Sequence, residues 1–163
     1  AAGAHTLTSG GISFYNLATA TTNTDLTIQD ALIVTNDLTV AGNTTLDAGS
    51  NQAISVAGNW SNSGTFTPAS GTVTFNGSAA QTISGTNTFY DLTINNTHGS
   101  SKVSASGSTL TVQDDLLVSD GIFESASDYV DVTISAGATL ELTGNITVSG
   151  DWSNSGTFTP STY

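Results

Sequence analysis

The chain has no cysteine, no methionine and only two prolines in 163 residues. Without cysteine there is no disulfide framework, no thiolate metal site and no thiol nucleophile. Cations are almost as scarce: Lys102 is the one basic residue besides two histidines, against 13 acidic residues, and the formal charge is −12. That balance excludes nucleic acid as a partner, because neutralising phosphates needs Lys and Arg. It also disfavours anionic membrane surfaces. A chain with so few basic residues offers trypsin-like proteases almost nothing to cut, as expected of an exported protein. No apolar run approaches the ~20 residues of a membrane span, so membrane insertion is not expected. The small-residue start AAGAH, with no initiator methionine, is what removal of a signal peptide or pro-segment leaves, although a partial sequence has the same look. The expected location is extracellular or at the cell surface.

Only 9% of residues are charged, against a usual quarter, so water-facing positions fall to Thr, Ser, Asn and Gly. Apolar residues make up 37%, enough for a narrow core. Helical i, i+3, i+4, i+7 spacing is absent beyond a few residues, and period two dominates. The commonest pattern is apolar–Thr–apolar, as in LTI, LTV, VTI, ITV and VTF. Thr keeps strand propensity on the water side without exposing a large apolar surface.

Internal repetition is the strongest positive signal. WSNSGTFTP stands identically at 60–68 and 152–160, preceded by ISVAGN (54–59) and ITVSGD (146–151). LTIQDALIV (26–34) returns as LTVQDDLLV (110–118), FYNL (14–17) as FYDL (89–92), and HTLTS (5–9) resembles QTISG (81–85). These pairs lie 75 to 92 residues apart, which suggests two imperfect β-rich repeats, 1–80 and 81–163, in two domains or one. Expected strands are 5–8, 12–18, 26–29, 32–35, 38–41, 54–57, 65–67, 72–75, 82–84 and 89–95. The second copy adds 103–105, 110–113, 116–119, 122–124, 130–135, 139–143, 146–149 and 157–159. Most are closed by Gly, Asn, Asp or Ser, which tolerate turn geometry. An all-β fold follows, and two architectures fit. One is a β-solenoid, right-handed β-helix-like, with coils of roughly 18–25 residues stacked at about 4.8 Å. The other is a pair of tandem β-sandwich domains. Very short strands and turns every few residues favour the solenoid.

The string GNWSNSGTFTPASGTVTFNGSAAQTISGTNTFYDLTINN (58–96) resembles the repeats of large secreted bacterial surface proteins. Those repeats run G-N-W-x-N-x-G-T-F-x-P, then G-T-V-x-F-N-G, then Q-x-I-x-G. The resemblance covers one full unit and most of a second. It implies an adhesin-like or autotransporter-like extracellular protein of β-helical form, and it implies no catalytic residues.

The chemistry-bearing residues are few. His5 and His98 lie outside any nucleophile or metal motif and read as solvated. The densest acidic stretch supplies candidate calcium ligands Asp114, Asp115, Asp120 and Asp128, although no D-x-[DN]-x-[DN]-G loop is present. The alternative is plain solvated turns. Trp60 and Trp152 occupy equivalent repeat positions, as do Phe66 and Phe158, and Tyr15 and Tyr90. Equivalence points to a repeated packing role rather than a sugar-binding platform. Asn43, Asn59, Asn76, Asn95 and Asn145 head N-x-[ST] sequons and are possible glycosylation sites. Thr-x-Thr recurs at 6–8, 65–67, 72–74, 109–111 and 157–159, too irregularly spaced for an ice-binding ladder.

No catalytic residue, cofactor site or enzymatic activity is expected, because no nucleophile–base set or cationic pocket is discernible. The expected function is that of a non-catalytic structural subunit of an extracellular filament or surface assembly. Copies would join head-to-tail through the chain ends, because strand-rich stacks leave open edges that natural proteins normally cap. The assembly residues would be Ala1, Ala2, His5, Thr6, Leu7, Thr8, Pro160 and Tyr163. The alternative is a carbohydrate-binding adhesin segment of a larger surface protein, with glycans as partners.

Overall fold

The computed structural model describes residues 3–19 and 24–161. These contain twenty β-strands and no helix. All strand pairs are parallel, and neighbours in space come from one coil earlier or later in the chain. The protein is therefore a β-solenoid of about eight turns, and a sandwich pair, which needs antiparallel pairing, is not what forms. At about 4.8 Å per coil the stack is about 38 Å long.

Each coil presents three faces. Face A begins with β1 (Gly3–Leu7), β3 (Thr24–Ile28), β6 (Thr45–Asp47) and β9 (Thr65–Thr67). It continues through the second half of β11 (Gln81–Phe89), which pairs β14 (Thr109–Val112). Face B stacks β4 (Leu32–Val34), β7 (Ile54–Val56), β10 (Thr72–Phe75), β12 (Asp91–Asn95), β15 (Asp115–Asp120), β17 (Asp131–Ile134) and β19 (Trp152–Asn154). Face C runs through β2 (Leu17–Ala18), β5 (Leu38–Val40), β8 (Trp60–Asn62), the first half of β11, β13 (Lys102–Ser104), β16 (Ile122–Ser125), β18 (Thr139–Leu142) and β20 (Thr157–Thr159). Pairing runs without a break across residue 80: β10 pairs β12, and β11 pairs both β8 and β13.

The apolar–Thr–apolar pattern explains the core. On face B the first inward column is Leu32, Ile54, Val73, Leu92, Leu116 and Val132; the second is Val34, Val56, Phe75, Ile94, Val118 and Ile134. All twelve are buried. Parallel register places each column's residues directly above one another, so like stacks on like and a narrow core fills with few residue types. The residues between them, such as Ser55, Thr74 and Thr93, face outward. Mid-stack, Trp60 meets Phe66 and Phe89 edge-on, with ring centroids at 4.9 and 5.3 Å.

Most expected strands form within a residue or two of their expected limits. The differences are local. Residues 12–18 give only an isolated bridge, Phe14 to Val34, and the two-residue β2. Residues 146–149 give only the bridge Tyr129 to Val148. Strands β6, β8 and β19 are additional; each has a single apolar residue, too little for a period to show. Segments 82–84 and 89–95 become β11, which bends round a corner at Gly85, and β12. Gly85 has φ +89°, and a Cβ there would collide with the Asn62 carbonyl oxygen, so only glycine fits.

Candidate functional site

The two WSNSGTFTP copies show how the repeat is used. In the first, the tryptophan strand lies on face C and the TFT strand on face A; in the second they lie on faces B and C. The nonapeptide thus builds one corner at two different vertices. Its internal geometry is the same each time. Asn62 Oδ1 accepts the Gly64 N–H at 3.0 Å and Asn154 Oδ1 that of Gly156 at 2.9 Å. Trp60–Phe66 and Trp152–Phe158 are both edge-on pairs, at 4.9 and 5.0 Å. By contrast LTIQDALIV and LTVQDDLLV keep the same faces, A then B.

Within the single chain the shared corner does not give the two tryptophans the same exposure. Trp60 is fully buried, and its Nε1 donates to the buried Asn87 Oδ1 at 2.7 Å. Trp152 is 41% exposed because it lies on the last coil, with nothing stacked over it among the described residues. Tyr15 is likewise 72% exposed, whereas its counterpart Tyr90 is half-buried.

Both end coils are open. Among the described residues β1 pairs only β3, β2 only β5, β19 only β17 and β20 only β18. Inward apolar side chains there stay half-covered: Leu7, Phe14 and Leu17 at one end, Ile146, Val148 and Phe158 at the other. Of the expected assembly residues, His5, Thr6 and Leu7 lie on β1, Thr8 follows it, and Pro160 closes β20. Ala1, Ala2 and Tyr163 lie outside the described residues.

A second feature is an aspartate ladder where the chain enters face B. Asp91, Asp115, Asp131 and Asp151 occupy that edge in successive coils. Asp115 N–H donates to Asp91 Oδ1 at 3.3 Å, Asp115 is register partner to Asp131, and Asp151 N–H donates to Asp131 Oδ1 at 2.5 Å. Carboxylate oxygens of Asp114, Asp115 and Asp131 all come within 4.8 Å of one another. Desolvation, then the charges of Asp114, Asp91 and Asp131, hold the Asp115 carboxyl above its usual range. Such oxygens are hard ligands suited to calcium. The fold brings Asp114 and Asp115 together with Asp131. It does not bring in Asp120, which bonds the Gly121 N–H, or Asp128, which accepts the Thr147 N–H. Asp131, the last residue of the same acidic stretch though outside the four candidates, is brought in from the neighbouring coil by the strand register.

On face C the lone lysine links three coils: Lys102 Nζ lies 3.2 Å from Glu124 Oε1 and 2.8 Å from Glu141 Oε1. The Ser104 hydroxyl also donates to Glu124, and with Lys102 it keeps that carboxyl below its usual range. His98 is exposed in a turn, with Nδ1 2.9 Å from Ser101 Oγ. The five sequon asparagines are all exposed, though Asn59 Oδ1 already accepts the N–H and hydroxyl of Thr82. Thr86 and Thr88 stand in register with Thr109 and Thr111 on face A, a short threonine ladder. Buried amides at the corners gave no sequence signal. Gln81, for example, donates to the carbonyls of Val56 and Gly58 and accepts from Gly77 N–H and Asn96 Nδ2. Only the stacked coil shows why a glutamine is placed inside.

Comparison with protein-family models, with curated proteins and with solved structures gives no match.

Proposed function

We propose that this protein is a structural rod: a non-catalytic subunit of an extracellular assembly whose end coils stack on further coils. The observation that carries this reading is the openness of both ends. Among the described residues each terminal coil has strands paired on one edge only and half-covered apolar side chains, with Trp152 at one end and Leu7, Phe14 and Leu17 at the other. Exposed strand edges of this kind are templates for pairing unless capped. A heterologous contact between unlike ends does not close on itself, so it produces a filament. The resemblance of 58–96 to secreted bacterial surface repeats, the charge of −12 and the near-absence of basic residues fit an exported, soluble rod.

Light scattering and negative-stain microscopy of the 163-residue chain across a concentration series test the reading. Linear particles that lengthen with concentration are expected. A species that stays monomeric at millimolar concentration would remove it.

A further inference from the structure

The nonapeptide at 60–68 is covered by the coil that follows it, and among the described residues nothing covers its twin at 152–160. Beneath the nonapeptide the two copies rest on the same support. Asn59 N–H donates to Asp37 Oδ1 at 2.8 Å, and Asp151 N–H to Asp131 Oδ1 at 2.5 Å. A Cβ on Gly58 or on Gly150 would strike that same aspartate oxygen. What lies over the first copy is a template for what fits over the second.

The cover of the first copy is β11. Ile83 pairs Trp60, Ser84 pairs Ser61 and Gly85 pairs Asn62. Asn59 Oδ1 accepts both the N–H and the hydroxyl of Thr82 at 2.9 Å. Phe89 stands edge-on to Trp60 at 5.3 Å. Over the second copy these positions are open: among the described residues nothing bonds the Asp151 carboxylate, and Trp152 is 41% exposed.

One other segment of the chain is built like the cover and the residues that follow it, QTISGTNTFYDL (81–92). It is HTLTSGGISFYNL (5–17), one residue longer, which places Leu7 where Ile83 stands, Thr6 where Thr82 stands and, past the added residue, Phe14 where Phe89 stands; Ser9 replaces Gly85, and the left-handed corner moves to Gly10 at φ +61°. The outer edge of β1 is unpaired among the described residues, and Leu7 and Phe14 are only partly covered. Charge also matches. Residues 3–19 contain no acid and carry His5, whereas the opposite end holds Asp128, Asp131 and Asp151. Stacking unlike ends thus places an acid-free, histidine-bearing surface on an acidic one. Stacking two C-terminal ends would set carboxylates against each other, and stacking two N-terminal ends would leave that acidic surface without a partner.

We propose that β1 of a second copy pairs with β19 in the register of the internal template: Leu7 over Trp152, Thr8 over Ser153, and the Thr6 N–H and hydroxyl on the Asp151 carboxylate. Phe14 of that copy then covers Trp152 as Phe89 covers Trp60. Because β1 is a face-A strand and β19 a face-B strand, each copy is turned by one face relative to the one before. This register rests on the rod reading above and adds to it the contacting strands and their alignment.

The test uses the absence of native cysteine. Thr8→Cys and Ser153→Cys, both at exposed positions, are combined in one chain and treated with a short bis-maleimide. A covalent ladder of multimers is expected, with at least a tenfold lower yield from the displaced pair Thr8→Cys and Thr157→Cys. The unmodified chain gives a second readout. Acrylamide quenching detects one accessible tryptophan when the protein is dilute, and that component is lost on assembly because Trp152 becomes covered. Rods that form with equal cross-linking from both pairs, or with Trp152 still quenched, would overturn the register and leave the rod reading standing. A chain that remains monomeric and fully quenchable at every concentration would overturn both.

Discussion

Trp60 and Trp152 separate what a residue's own sequence neighbourhood does from what its cover does. Both sit in WSNSGTFTP and both meet a phenylalanine edge-on. Only Trp60 is buried, with its indole N–H bonded to Asn87. Trp60→Ala is therefore expected to cost about 3–5 kcal/mol, as large-to-small changes of buried aromatics do. Trp152→Ala in the dilute monomer should cost well under half of that; urea midpoints of the two variants make the comparison. Asp115 gives a pH test. Its carboxyl is raised above the ordinary 3.8 by desolvation and by Asp114, Asp91 and Asp131. A raised acid binds its proton more tightly when folded, so stability falls as pH climbs from the unfolded value through the raised one. Asp115→Asn should thus stabilise at neutral pH by a few tenths of a kcal/mol, as relief of like charges on adjacent strands does. The gain should shrink in high salt, because the site is exposed, and disappear below the unfolded carboxyl range. Thermal melts at several pH values would show an equal effect throughout if the ladder carried no repulsion.

At the scale of elements, corners rather than strands set the design. Most strands span three to five residues and supply one or two inward side chains each. Such strands are not stable singly, and the corners hold them in line. At Gly85 the 9-residue β11 passes from face C to face A through a left-handed angle, against the Asn62 carbonyl. Gly85→Ala adds a clash to backbone strain, and a loss of at least ~2 kcal/mol is expected. A midpoint shift smaller than that of an exposed Thr→Ala control would show that the corner adapts. Lys102 clamps β13, β16 and β18 through two glutamates on adjacent coils. Lys102→Met removes two partly exposed ion pairs and leaves Glu124 and Glu141 stacked without a counter-charge. The expected loss is about 1 kcal/mol at low ionic strength, reduced by salt; a salt-independent loss would point to lost packing instead.

At the scale of the molecule, the stack is close to one-dimensional: among the described residues strands pair only with those of the coils on either side, and the Lys102–Glu141 ion pair reaches one coil further. Stability in such arrays is a sum of coil and nearest-neighbour terms, so ends are weaker than the middle. Backbone amides of β8, β10, β11 and β12, around the aromatic layer of Trp60, Phe75 and Phe89, should exchange hydrogen slowest. Those of β1, β2, β19 and β20 should exchange fastest in the monomer and slow by an order of magnitude or more on assembly. Protection that is uniform along the monomer would contradict the end-coil account.

Much of this was legible in the sequence for a simple reason. Apolar–Thr–apolar triplets closed by Gly, Asn and Asp specify short half-buried strands locally, so the all-β class, the coil length and most strand limits follow from neighbours in the chain. The LTIQDALIV pair even keeps its faces. Which face a segment joins is not local. It depends on the sum of preceding coil lengths, and those lengths vary from coil to coil: Asp115 pairs a residue 16 positions on, and Leu92 one 24 positions on. The same nine residues therefore land on different vertices, one tryptophan is covered and the other is not, and Asp131 rather than Asp120 joins Asp114 and Asp115. Buried Gln81, Asn87 and Asn96 were equally silent, because an amide reads as a surface residue until the carbonyls it bonds arrive from another coil. The sequence alone determined a stack of short parallel-ready strands with a polar skin. Only the tertiary structure decided which residues meet, because in a solenoid each contact is made with a residue a full coil away.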